Sequence, residues 1–157
     1  MKKWLIVLMM VFAGSVQAEG KYEHLTDSQR SRLLINIGED YAYCSAMTSG
    51  FAHCINNTEP GAGDEWQSFA VSLIDNGMTF HAMSVLVSDP DADVDLAYQA
   101  FGAKVQNHSD EITAKTGNCA NYVSLHKNAI QECVAMPKDV VGHTTKWMNE
   151  LGYPLSP

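Results

Sequence analysis

The sequence predicts an all-α protein: an up-down-up-down four-helix bundle with an additional short C-terminal helix, stapled by two disulfides. Three observations carry this. Apolar residues recur at steps of three and four along five consecutive stretches. No run of alternating β-branched residues bounded by turns is present. The four cysteines of the 157-residue chain fall in two pairs, on the first and fourth of those stretches.

Residues 1–18 read as a signal peptide. Lys2 and Lys3 form a positive n-region, an apolar run follows over 4–14, and Ser15-Val16-Gln17-Ala18 offers a cleavage site after Ala18. The run is shorter than the ~20 residues a spanning helix needs. The short basic n-region favours the periplasm over full secretion. Residues 19–157 then form a single helical domain, long enough to bury about two-thirds of its unfolded surface. Losing Lys2 and Lys3 takes the bases from 10 to 8 against 18 acids, a net charge of −10. So acidic a chain is repelled by nucleic acid and by anionic membrane surfaces, which excludes nucleic-acid binding.

The helices are expected at about 26–56, 64–87, 89–116, 118–135 and 137–151. In the first, Thr26 and Gln29 match a capping box. Leu34, Ile37, Tyr41, Cys44, Thr48, Phe51 and Ile55 form its stripe. A Pro-Gly loop over 56–63 breaks it. Asp64 and Gln67 look like the cap and N3 partner of the second helix. That run, from Trp66 to the end at 87, carries one formal charge, Asp75, and its apolar residues cover most of the circumference. Such a helix is expected to be central in the fold or buried at a homodimer interface. Gln67, Asp75, Asn76 and His81 argue against a membrane span. Gly77 at mid-helix costs ~1 kcal/mol relative to Ala, and permits a close crossing or a kink.

Asp89 suits the N-cap of the third helix and Pro90 its first position. Val94, Tyr98, Phe101, Val105, His108 and Ile112 form its stripe, and Gly117 closes it. Asn118 caps the fourth, with Cys119, Val123, His126, Ile130 and Cys133 in line. Pro137 ends that helix and opens the fifth, whose apolar face includes Val140, Trp147, Met148 and Leu151. Gly152 and Pro154 stop it. Short connections make successive helices antiparallel. The competing architectures are an irregular five-helix orthogonal array and a dimer sharing the second helix.

Helix geometry then dictates the cysteine pairing. At 1.5 Å per residue, Cys44 and Cys54 stand ~15 Å apart and Cys119 and Cys133 ~21 Å apart. A disulfide tolerates only ~4.4–6.8 Å between Cα atoms. The bonds must therefore join the first helix to the fourth, and antiparallel direction gives Cys54–Cys119 and Cys44–Cys133. The spacings disagree by ~6 Å, so a tilt between the helices, or a break near Gly50 or Cys133, is expected. Zinc is disfavoured because neither pair has the short gap of structural sites. No Cys-x-x-Cys is present for redox exchange or haem attachment.

Candidate chemistry is sparse. Asp89-Pro90-Asp91-Ala92-Asp93-Val94-Asp95 opens like a calcium loop, but Val94 stands where the turn needs glycine and Ala100 where a bidentate Glu belongs. Met78 and His81, three apart on one face, could offer copper a soft and an imidazole ligand. His126 could serve as a haem ligand between helices. Each is more simply a core residue. No nucleophile elbow and no His-Glu-x-x-His occurs. The adjacent acids Glu39-Asp40, Asp64-Glu65 and Asp110-Glu111 point ~100° apart on a helix and read as caps or solvated faces. No catalytic, metal or cofactor motif is therefore assigned. The expectation is a non-enzymatic exported module that binds a protein or peptide partner (an adaptor, chaperone or immunity-type inhibitor), with a haem- or copper-binding bundle as the alternative.

Overall fold

The structure is a computed structural model that describes residues 24–155. The signal segment and its cleavage site lie outside the described residues. Within them the chain is helical throughout: α1 (Asp27–Thr58), α2 (Asp64–Ser88), α3 (Val94–Thr116), α4 (Cys119–Ala135), a 3-10 turn (Met136–Lys138) and α5 (Val140–Glu150). No strand occurs among the described residues.

Capping sets most of these boundaries. Thr26 and Gln29 form the expected reciprocal box at the start of α1. Asn118 caps α4 by accepting from Asn121 N. Gly117 ends α3 with φ 71°, the left-handed conformation that glycine adopts without steric cost. Three starts differ from the sequence expectation. Asp64 lies in the first turn of α2, with Gly63 at the N-cap. Asp89 does not cap α3: its carboxylate and carbonyl accept from Asp91 N and Ala92 N, which closes a turn, and the cap moves to Asp93, whose Oδ1 accepts from Asp95 N at 3.0 Å. Pro137 opens the 3-10 turn rather than a helix, and Asp139 caps α5 by accepting from Gly142 N at 2.9 Å. In all three the sequence offers neighbouring caps, and turn closure selects among them.

The central helix is α1, which packs against all four of the others. From Tyr41 to Thr48 every residue but Tyr43 is buried. Gly38, Ala42, Ser45 and Ala46 are small enough to let neighbours approach on several sides. The hydroxyls of Ser45 and Thr48 donate to carbonyls of their own helix, so burying them leaves no donor unmade. The expectation of an α2 central in the fold is thus corrected. α2 lies alongside α1 and α3, and buries one face through Ala70, Leu73, Gly77, Phe80, His81 and Ser84. Gly77 marks a close crossing, not a kink. A Cβ there would lie 2.5 Å from Phe101 Cε2, nearer still to Cζ, and 2.9 Å from Tyr41 Cβ. Phe80 stacks on Tyr41 with ring centroids 5.3 Å apart, and Phe101 is fully buried.

Both disulfides close as the geometry requires: Cys44–Cys133 with Cα atoms 5.2 Å apart and Cys54–Cys119 with 5.1 Å. Neither α1 nor α4 breaks, so inclination of one helix across the other takes up the spacing mismatch. Tyr122 fixes that crossing between the two bonds. Its hydroxyl donates to Met47 O at 2.7 Å, and its ring lies where a Cβ on Gly50 would stand, 2.9 Å from Cζ. The paired cysteines are those of an oxidising, exported environment.

Candidate functional site

Glu39 and Asp40 are the two acids on the buried half of α1, and their divergence gives each a different partner helix. They are not the solvated pair expected from the sequence. Glu39 faces α3. Its Oε1 lies 2.9 Å from His108 Nε2, and Oε2 accepts from the Lys104 ammonium. Burial pushes the Glu39 carboxyl up, but the hydrogen bonds and charges of Lys104 and His108 outweigh it and hold the group below its ordinary value. The Tyr43 ring stands edge-on to His108 at 5.6 Å. Close by on α2, His81 is 92% buried, and its Nδ1 has no hydrogen-bond partner. Burial, then the charge of Lys104, lowers its pKa, with Glu39 opposing. A neutral, packed imidazole follows.

Asp40 faces α5. Its Oδ2 accepts from Trp147 Nε1 at 2.6 Å, and His143 Nε2 lies 2.7 Å from the same oxygen. That nitrogen is buried but off the hydrogen-bond axis, so the contact is electrostatic rather than a formed hydrogen bond. Beside this group, between α1, α4 and α5, opens a cavity of about 400 Å³ with the Cys44–Cys133 disulfide in its wall. Asp40, Tyr43, Glu132, Asp139, His143 and Lys146 supply its polar lining. The volume is that of a site for a small molecule or a single long side chain.

The residues singled out in the sequence do not assemble into one site. Met78 and His81 lie on α2, with His81 at the level of Gly38 and Glu39 on α1. His126 lies on α4 against Tyr122, which meets α1 at Met47, about 13 Å further along that helix. Among the described residues no three His, Cys, Asp or Glu side chains converge as metal ligands. His126 does pair with a hydroxyl, its Nε2 lying 2.7 Å from Thr116 Oγ1. That hydroxyl already donates its proton to Ile112 O at 2.7 Å, so the imidazole acts as donor and the pair is not an activated nucleophile. All four cysteines are in disulfides, which leaves no thiol nucleophile. Asp91, Asp93 and Asp95 are exposed at the turn and cap described above.

What the sequence concealed is the pair of sites around Glu39 and Asp40. The available signal was two adjacent acids flanking the apolar stripe of the first helix, between Ile37 and Tyr41. No protein-family model, curated protein or solved structure matches this chain.

Proposed function

We propose that this chain is an exported, non-enzymatic helical module that binds a protein or peptide partner in the periplasm after cleavage behind Ala18. One observation carries the proposal. α2 is apolar enough, by length and composition, to cross a membrane, yet only 33% of its most apolar window is buried. Val71 is 47% exposed, and Met78, Met83, Val85, Leu86 and Val87 are half-buried. On this reading, Val71 and the half-buried row beside it form a face that a partner covers. Protein suits it better than lipid, because Gly77, Phe80 and His81 lock the inner face into α1 and α3. Asp75 and Asn76 also stand exposed at mid-helix, where a bilayer would penalise them.

The class is that of small adaptors, chaperones and immunity-type inhibitors, in which a rigid stapled scaffold presents a surface. The absence of a catalytic motif in the sequence supports it, as does a hydroxyl–imidazole pair with its proton already committed. A photo-crosslinking residue placed at Val71, and separately at Met83, tests it in exported protein. Expected are discrete adducts to one partner, or to a second copy of the chain, that Val71→Asp and Met83→Glu abolish. Light scattering separates the two covers, since only the second copy doubles the mass. A strictly monomeric chain without adducts at either position would refute the proposal.

A further inference from the structure

The cavity beside the Cys44–Cys133 disulfide is distinct from the α2 surface and from the partner reading built on it. We infer that it is a binding site for a small organic cation, an ammonium or guanidinium group on an aliphatic stem, held by Glu132 and Asp139 against the ring of Tyr43.

Charge is the first ground. Three carboxylates line the cavity, those of Asp40, Glu132 and Asp139, against one ammonium, Lys146. The Lys146 Nζ lies 3.9 Å from Glu150 and 5.9 Å from the centroid of the Trp147 ring, so its charge is balanced elsewhere. Asp40 is occupied by the Trp147 N–H and the adjacent His143. Among the described residues the Glu132 carboxylate makes no hydrogen bond or ion pair. Asp139 uses Oδ1 to cap α5, and its carboxylate sits over Gly142, where a Cβ would fall 2.7 Å from Cγ. With Asp40 so engaged, the charge left facing the cavity is that of Glu132 and Asp139, and it attracts a cation.

Shape decides which cation. A metal ion needs converging ligands, and no three candidate ligands among the described residues converge. Carboxylates spread around a wall suit an extended donor set, such as a guanidinium or a terminal ammonium. The Tyr43 ring lines the cavity, where an aromatic group suits a cation–π contact. Burial, then the negative charge of Glu132, pushes its phenol up, which places the two groups within electrostatic reach. Ala129, Met136 and the disulfide supply apolar wall for the methylene stem.

The test titrates the disulfide-bonded chain with agmatine and cadaverine, and separately with Nα-acetyl-arginine methylamide as the side-chain form. Calorimetry and amide chemical shifts report binding, and 1-pentanol serves as the uncharged control. Expected is saturable binding with shifts confined to Tyr43, Ala129 and residues 139–146. Affinity should weaken with added salt, and fall about tenfold in Glu132→Gln through loss of a charge-assisted hydrogen bond. Glu132 is exposed and unbonded, so that variant should keep its melting temperature. Asp139→Asn retains a capping side chain and should lose affinity in the same way. Tighter binding of the free amines assigns a metabolite-sized ligand, and tighter binding of the blocked arginine assigns a side chain of a larger molecule; both support the site. No saturation at millimolar ligand, equal binding of 1-pentanol, unchanged affinity in both variants, or shifts centred on the 89–95 acidic turn would each overturn it. Partner capture through α2 would be untouched by any of these failures.

Discussion

Replacing Gly77 by alanine is the sharpest perturbation of the α1–α2–α3 contact. Two effects oppose. Alanine is the better helix former by about 1 kcal/mol, so at an exposed site the substitution would stabilise. Here the new methyl would enter the ring of Phe101 and stand 2.9 Å from Tyr41 Cβ. Phe101 is 0% exposed and Tyr41 2%, so neither can swing away, and a Cβ moves only with its backbone. α1 and α2 must separate instead. With both neighbours buried, the overpacking cost falls in the upper part of the usual range, about 2–3 kcal/mol, which leaves a net loss of about 1–2 kcal/mol after the propensity gain. For a domain of this size the melting temperature should drop by about 3–10 °C. Circular dichroism melts of the oxidised chain measure it. Gly102→Ala in α3 is the matched control: nothing lies within 4 Å of its Cβ, so it should gain up to about 1 kcal/mol. Phe101→Leu in the Gly77→Ala background should cost less than the two single changes together, because the shorter side chain makes room. A Gly77→Ala protein as stable as the parent, or a strictly additive pair, would show that the crossing is looser than described.

The remaining predictions address the staples, the fifth helix and acid. Cys54→Ser with Cys119→Ser should cost about 2–4 kcal/mol and full reduction, which opens both bonds, more, and non-reducing peptide maps should yield only Cys44–Cys133 and Cys54–Cys119 linked peptides; a Cys44–Cys54 peptide would contradict an unbroken α1. Deleting the chain from Pro137 onward should lower the melting temperature and expose apolar surface to a reporter dye, since Met148 is 1% exposed and Trp147 donates to Asp40; an unchanged melt would mean α5 is not docked. Acid should destabilise in two steps. His81 is lowered from 6.5, so the unfolded chain binds the proton more readily, and its contribution, whole above 6.5, is lost as pH falls toward the folded value. Glu39 is lowered from 4.5, so its contribution is whole above 4.5 and lost on further acidification. Urea midpoints against pH should lose the upper step in His81→Gln and the lower in Glu39→Gln, and an unaltered profile in either variant would remove that group as the cause.

The parts of the fold legible from sequence are those governed by rigid local geometry. Helix rise alone forbids Cys44 from reaching Cys54, and antiparallel direction then leaves one pairing. Thr26, Gln29, Gly117 and Asn118 announce helix ends because their side chains or conformations satisfy specific backbone groups. Where caps compete, as at Asp89 and Asp93, closure of the turn decides. Of the two places the sequence allows α2, central in the fold or beneath a second copy, the first is taken by α1. Apolar content points to α2, but burial on all sides depends on small residues, and Gly38, Ala42, Ser45 and Ala46 carry little hydropathy. A helix can be central because it is thin.

The same thinness explains why the candidate sites surround α1 and why they were hard to see. On a helix that contacts all four of the others, a partly buried carboxylate finds its partner on whichever neighbour it faces. Glu39 and Asp40 differ by about 100° of rotation, so adjacent positions serve opposite neighbours: α3 through Lys104 and His108, and α5 through Trp147 and His143. Their partners stand 65 to 107 positions away in the chain, and no local pattern links them. The Glu39 cluster is closed, since each carboxylate oxygen has a partner and the nearby imidazole of His81 is packed. The Asp40 cluster is open, because α5 is short and leaves a cavity between itself and α4. Glu132 and Asp139 face that space with charge still to be met. An anionic cavity bounded by a disulfide and an aromatic ring is a place where a small ligand adds an interaction without displacing a packed side chain.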